Sequence, residues 1–191
     1  MLNFELVREG KTTVQDLVKG LTKEDLRREL DEMYDEVGRR IAEATDADVV
    51  FQPSDPAARD PYATEGEGTL AWTLGHVIVH LTASMEEAAS ISQELARGVA
   101  FHGRSRWEVP YQEVKTIAFC RARLEESRRM GLAALGLWPD APHMDNTYSA
   151  APGALPHTAV SRYASGLKHA SDHLEQISEI LRQAKQAAQA R

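Results

Sequence analysis

Cysteine is almost absent from this sequence, with Cys120 the only one in 191 residues. One thiol excludes an intrachain disulfide framework and any zinc site built from cysteines. Its setting, TIAFCRARL, reads as an apolar helical stripe, which makes it a buried structural thiol. Long hydrophobic runs are also missing, so no segment reaches the length that spans a bilayer. No basic block occurs and the net charge is −7, so no nucleic-acid footprint is visible. The opening MLNFELVREGK lacks the apolar stretch of a secretory leader. These absences predict a soluble, cytoplasmic protein with no nucleic-acid partner and no membrane. Strand signals are scarce as well: DVVFQP, from Asp48 to Pro53, is the only β-like fragment and is too short to found a sheet.

What remains is helical. The length fits one domain over residues 1–191, with a core that needs no covalent staples. A first helical region runs from about Thr13 to Ala44 and breaks near Gly20. After the break, Thr22 has the residue type of an N-cap, and Glu24 and Asp25 occupy the first turn. Leu26, Leu30, Met33, Val37 and Ile41 then recur at spacings of three and four, forming one apolar face. Residues Thr45 to Gly68 hold three prolines, two glycines and several Asp residues and read as a long ordered loop.

A second helix spans about Leu70 to Arg97, with Leu74, Val77, Ile78, Leu81, Met85 and Ala88 facing the core and Gly98 just past its end. The connection over residues 98–110 leads to a third helix, about Tyr111 to Leu137, striped by Val114, Ile117, Ala118, Leu124, Leu132 and Leu135. A second long loop follows, and a last helix runs from about His157 to the C-terminus, with Tyr163, Leu167, Leu174, Ile177, Leu181 and Ala184 on its core face. Four helices with long ordered connections and no strands predict an all-α four-helix bundle.

Two of these helices carry histidines four residues apart: His76 and His80 in LGHVIVHL, and His169 and His173 in KHASDHLEQI. Residues i and i+4 lie one above the other on a helix, so each pair can offer two imidazoles to one cation. His80, His169 and His173 fall on the shoulders of their core stripes, whereas His76 points further out, roughly opposite the core. A site shared between His80 and the His169–His173 pair is sterically reasonable in a bundle core. Spacing alone leaves open which three of the four histidines would meet. Neutral imidazoles suit Zn²⁺, Ni²⁺ or Fe²⁺ rather than Ca²⁺ or Mg²⁺, and three protein ligands leave a position for water or substrate.

The segments WTLGHVIVHL, Trp72 to Leu81, and HASDHLEQI, His169 to Ile177, resemble the two motifs of the DinB superfamily of metal-binding four-helix bundles. That superfamily includes YfiT-like bacillithiol transferases and mycothiol-dependent maleylpyruvate isomerases. The resemblance implies a DinB/YfiT-like fold and the metal ligands His80, His169 and His173, with His76 at a variable position. It also implies a homodimer, and either a thiol-dependent S-transferase or isomerase using a low-molecular-weight thiol, or a metal-dependent hydrolase. The competing class is a non-catalytic, metal-bound stress-response or interaction protein. The loops 45–68 and 98–110 are longer than the resemblance leads one to expect.

Other residues carry weaker signals. Arg104 and Arg106, on the connection, could hold the carboxylates of a thiol or an acidic substrate, or simply form surface ion pairs. His102 beside them is a lesser candidate. His143 and Asp145 stand on a loop that could close over the metal and supply a base. Trp72 reads as packing at the start of its helix. Arg121, Arg123, Arg128 and Arg129, and likewise Glu86 and Glu87, read as solvated. Asp172 and Ser171 point away from the metal, and Gln176, one turn after His173, is placed to bond a ligand or a metal-bound water.

Overall fold

The computed structural model describes residues 1–60 and 66–190. Two short helices, α1 (Glu5–Arg8) and α2 (Val14–Leu17), precede α3 (Lys23–Arg40). A one-turn helix, α4 (Asp46–Val49), occupies the stretch that includes the start of the β-like fragment, and no strand occurs among the described residues. Then come α5 (Leu74–Ala96), a 3₁₀ turn (Tyr111–Glu113), α6 (Ile117–Gly136), α7 (Ala159–Asp172) and α8 (Leu174–Gln189). The four legs of the bundle are α3, α5, α6 and the α7–α8 pair.

Local chemistry sets the helix starts. Thr22 and Asp25 form a reciprocal capping box on α3, as the sequence predicts. The Thr73 side chain accepts from the His76 amide, so α5 begins at Leu74 rather than Leu70. Thr116 caps α6 in the same way, through the Phe119 amide, so that helix starts six residues after Tyr111. Gly98, at φ +80°, provides the left-handed turn after α5.

The core faces follow the periodicity. Leu26, Leu30, Met33, Val37 and Ile41 of α3 are buried, as are Leu74, Val77, Ile78, Leu81, Met85 and Ala88 of α5. Ala118 differs: it lies on the exposed side of α6. Helix α5 is the central element, buried along most of its length and packed on α6 and α7. Several residues that read as solvated are covered. Glu87 is only 3 % exposed, Arg123 pairs with Glu86, and Arg128 reaches Asp31 and Asp35.

The last helix is not continuous. It breaks at His173, whose amide bonds the carbonyl three residues back, on Ala170, before the chain turns into α8. Just past the break, the Leu174 carbonyl accepts from the Arg40 guanidinium of α3 at 2.7 Å. An apolar stripe that runs through the junction hides this break from periodicity.

The contact that positions the site is the crossing of α5 and α7. Gly166 is buried there, and a Cβ on it would lie 2.6 Å from Ala88 Cβ and 2.8 Å from Met85 Sδ. Ala88 has no flexible end to swing aside, so the helices can approach this closely only with glycine at 166. Gly166→Ala is therefore expected to cost about 1–3 kcal/mol by overpacking, lowering Tm by roughly 2–4 °C for each kcal/mol. Thermal unfolding of the variant checks this, and an unchanged Tm would contradict the crossing.

Candidate metal centre

Moving along α7 from Gly166 to His169 moves back along α5 from Met85 to His80, so the two helices run antiparallel. Their shoulders meet at the histidines. His80 Nε2 lies 2.9 Å from His169 Nε2, which lies 3.3 Å from His173 Nε2. The ligand atoms of all three fall within 4.8 Å of one another. The break at His173 turns that imidazole toward the other two from the last position before α8.

The surrounding hydrogen bonds decide what these nitrogens can do. His173 Nδ1–H donates to Gln176 Oε1 at 2.8 Å, so its Nε2 carries a lone pair. His80 Nδ1 lies 3.4 Å from Glu108 Oε2 and 3.2 Å from Arg106 Nη2. Donation to Glu108 leaves the His80 Nε2 lone pair facing inward, while Arg106 keeps bonds to Glu108, Ser84 and the His80 carbonyl. His169 Nε2 holds one proton or none. In either state at least one of its two short contacts lacks a proton between the nitrogens.

A cation at the centre accepts all three lone pairs at once. Zn–N bonds of about 2.0–2.1 Å put tetrahedral ligand nitrogens roughly 3.4 Å apart, near the 3.3 Å and above the 2.9 Å found at His169. The donor set therefore fits a divalent transition metal with open positions.

Electrostatics favour neutral imidazoles at His169 and His173. Burial, with the neighbouring His173, His80 and Arg106, pushes the His169 pKa down to about 3. Burial also lowers that of His173, against the bond it donates to Gln176. Burial would raise the Glu108 carboxyl, but the bonds from His80 and Arg106 outweigh it and hold the group below its ordinary value.

His76 stays out of the cluster. It is half-buried rather than opposite the core, stacked between Trp72 and Tyr111 at centroid distances of 4.4 and 4.1 Å. Burial takes its pKa down to about 4. Trp72 does more than pack at the start of its helix: its ring also faces His80 and His173.

The histidines open onto a cavity of about 700 Å³ that continues past Ser84 and Gly166 to Glu87, Arg104 and Arg162. A second cavity of about 670 Å³, under the Pro53–Arg59 segment and against α8, shares Arg59, Trp72 and His173 with the first. The structure brings Arg104 and Arg106 to the metal-side cavity, where both are engaged with partners on α5. It does not bring His143 and Asp145 there. The His143 amide bonds the Ala96 carbonyl, which is 16 residues and roughly 24 Å along α5 from His80. That loop closes the far end of the bundle, because the Asn146 side chain ties it to Leu95 and Val99. His102 pairs with Glu94, also beyond the site. Asp172 bonds Lys168 and Arg8, facing away as predicted.

Sequence reasoning did not select Glu108, Arg162 or Tyr111. Glu108 and Tyr111 lie on an aperiodic connection that offers no register. Arg162 did leave a trace, seven residues before His169 and so on the same face of its helix.

A helical bundle carrying an open three-histidine centre is the class that this fold and site define. A family model described as the DinB superfamily matches residues 13–177, so the chain belongs to the DinB superfamily. No curated protein and no solved structure matches the chain.

The bonds to Nδ1 should matter as much as orientation does. Glu108→Gln and Gln176→Leu are each expected to weaken zinc affinity about 10- to 100-fold without unfolding the bundle. Competition against a chromophoric chelator measures this, and unchanged affinity in both variants would remove the orienting role.

Proposed function

We propose that this protein holds a divalent transition metal through His80, His169 and His173 and promotes reactions of a low-molecular-weight thiol, as an S-transferase or isomerase. The observation that carries the reading is the donor set: three converging Nε2 atoms, two with their far nitrogens near fixed acceptors, at one end of an open cavity. A divalent ion in such a place supplies Lewis acidity that lowers the pKa of a thiol or a water bound to it.

The chain's own residues favour the thiol over water. Glu108 lies beside the site, but its bonds to His80 and Arg106 stabilise its anion and make it a poor acceptor for a water proton. Glu87 is engaged by Arg104. A thiol, more acidic than water, needs less help from a base. The arginines of the cavity suit a partner that carries negative charge. Trp72, stacked at 5.7 Å on His173, provides an apolar wall beside the reacting end.

The test is thiol-dependent consumption of an electrophile by metal-loaded protein, beside chelator-stripped protein and His173→Ala. Stripping and the substitution are each expected to lower the rate by at least about 100-fold, or about 2.7 kcal/mol. Hydrolysis of esters or amides without any thiol would move the assignment to a hydrolase. Metal bound with neither activity would leave the non-catalytic reading.

A further inference from the structure

The groove between α5 and α7 does not end at the histidines. Glu87 stands seven residues beyond His80 on α5, and Arg162 stands seven residues before His169 on α7. Seven residues are two turns, so each lies on the same face as its histidine, about 10 Å further along the axis. Because the helices are antiparallel, Glu87 and Arg162 meet at 3.6 Å. Arg104, from the connection, donates to both oxygens of Glu87 at 2.8 and 2.6 Å.

Two guanidinium groups thus surround one buried carboxylate, leaving one positive charge in excess. Arg162 bears most of that excess. Its side chain is 16 % exposed, its Nε is buried without a hydrogen-bond partner, and its ion pair with Glu87 is longer than a hydrogen bond. A guanidinium has five donors in a planar fork that matches a carboxylate. A largely buried cation with unmet donors calls for an anion. Ser165 and Ser84 line the cavity between this end and the metal end, and Gly166 places no side chain in it.

We infer that this end of the cavity receives the carboxylate of an elongated thiol, bound by Arg162 and Arg104 while its sulfur reaches the histidine cluster roughly 10 Å away. The inference rests on the thiol reading above and adds to it a ligand class, a length and a specificity residue, Arg162.

The experiment uses cobalt(II)-loaded protein, whose visible absorption reports a thiolate at the metal. It is titrated with 3-mercaptopropionate, with 8-mercaptooctanoate, whose extended length matches the span, and with the amide of the longer acid. The long acid is expected to bind at least about 10-fold more tightly than the short acid or the amide. Arg162→Gln should abolish that preference while the spectral response to the short thiol persists. Arg104→Gln, on a more exposed side chain, should reduce the preference, and thermal unfolding of both variants shows that the fold is kept. Equal binding of acid and amide, or a preference that survives both substitutions, would overturn the inference and leave the thiol reading standing. If no thiol perturbs the spectrum of metal-loaded protein, the thiol reading falls and the inference with it.

Discussion

Three half-buried imidazoles aimed at one point cannot all be satisfied by protons, and the rest of the site is arranged around that constraint. Burial keeps His169 neutral. Gln176 keeps the Nδ1 of His173 protonated, and Glu108 is placed to do the same for His80. What these contacts leave is inward lone pairs, which a divalent ion accepts. The packing that brings them together is equally constrained, since α5 and α7 approach closely only because residue 166 has no side chain.

Charge is distributed along the same groove. The histidine end holds the Arg106–Glu108 pair, whose charges offset each other. The far end carries an excess positive charge around Glu87. The proposed thiol would be selected by length as well as by charge, because His80, His169 and Arg162 all stand on helices. Apolar contact comes from Trp72, which lines both the histidine-side cavity and the one beneath the Pro53–Arg59 segment.

Much of the bundle was legible in the sequence because core-facing residues must repeat with the helical period. Leu26 through Ile41 and Leu74 through Ala88 are buried where their spacing puts them. The His169–His173 pair was legible for the same reason, whereas its meeting with His80, on a different helix, required the resemblance of two short motifs. Periodicity could not show what folds over a helix from outside. Glu87 lies on a polar shoulder and so read as solvated, yet the connection after α5 lays Arg104 across it. The same connection supplies Glu108, and no regular spacing announces it. His143 failed in the opposite direction: a histidine and an aspartate on a loop suggest chemistry, but hydrogen bonds tie that loop to the far end of α5. The break at His173 was hidden because Tyr163, Leu167, Leu174 and Ile177 keep an unbroken apolar stripe across it.

The most direct measurement is metal content by mass spectrometry of protein purified without chelator, for the native chain and for His76→Ala, His80→Ala, His169→Ala and His173→Ala. About one equivalent in the native protein and in His76→Ala, with almost none in the other three, is the result this arrangement predicts. Loss of metal from His76→Ala alone, or full retention in the three cluster variants, would contradict it.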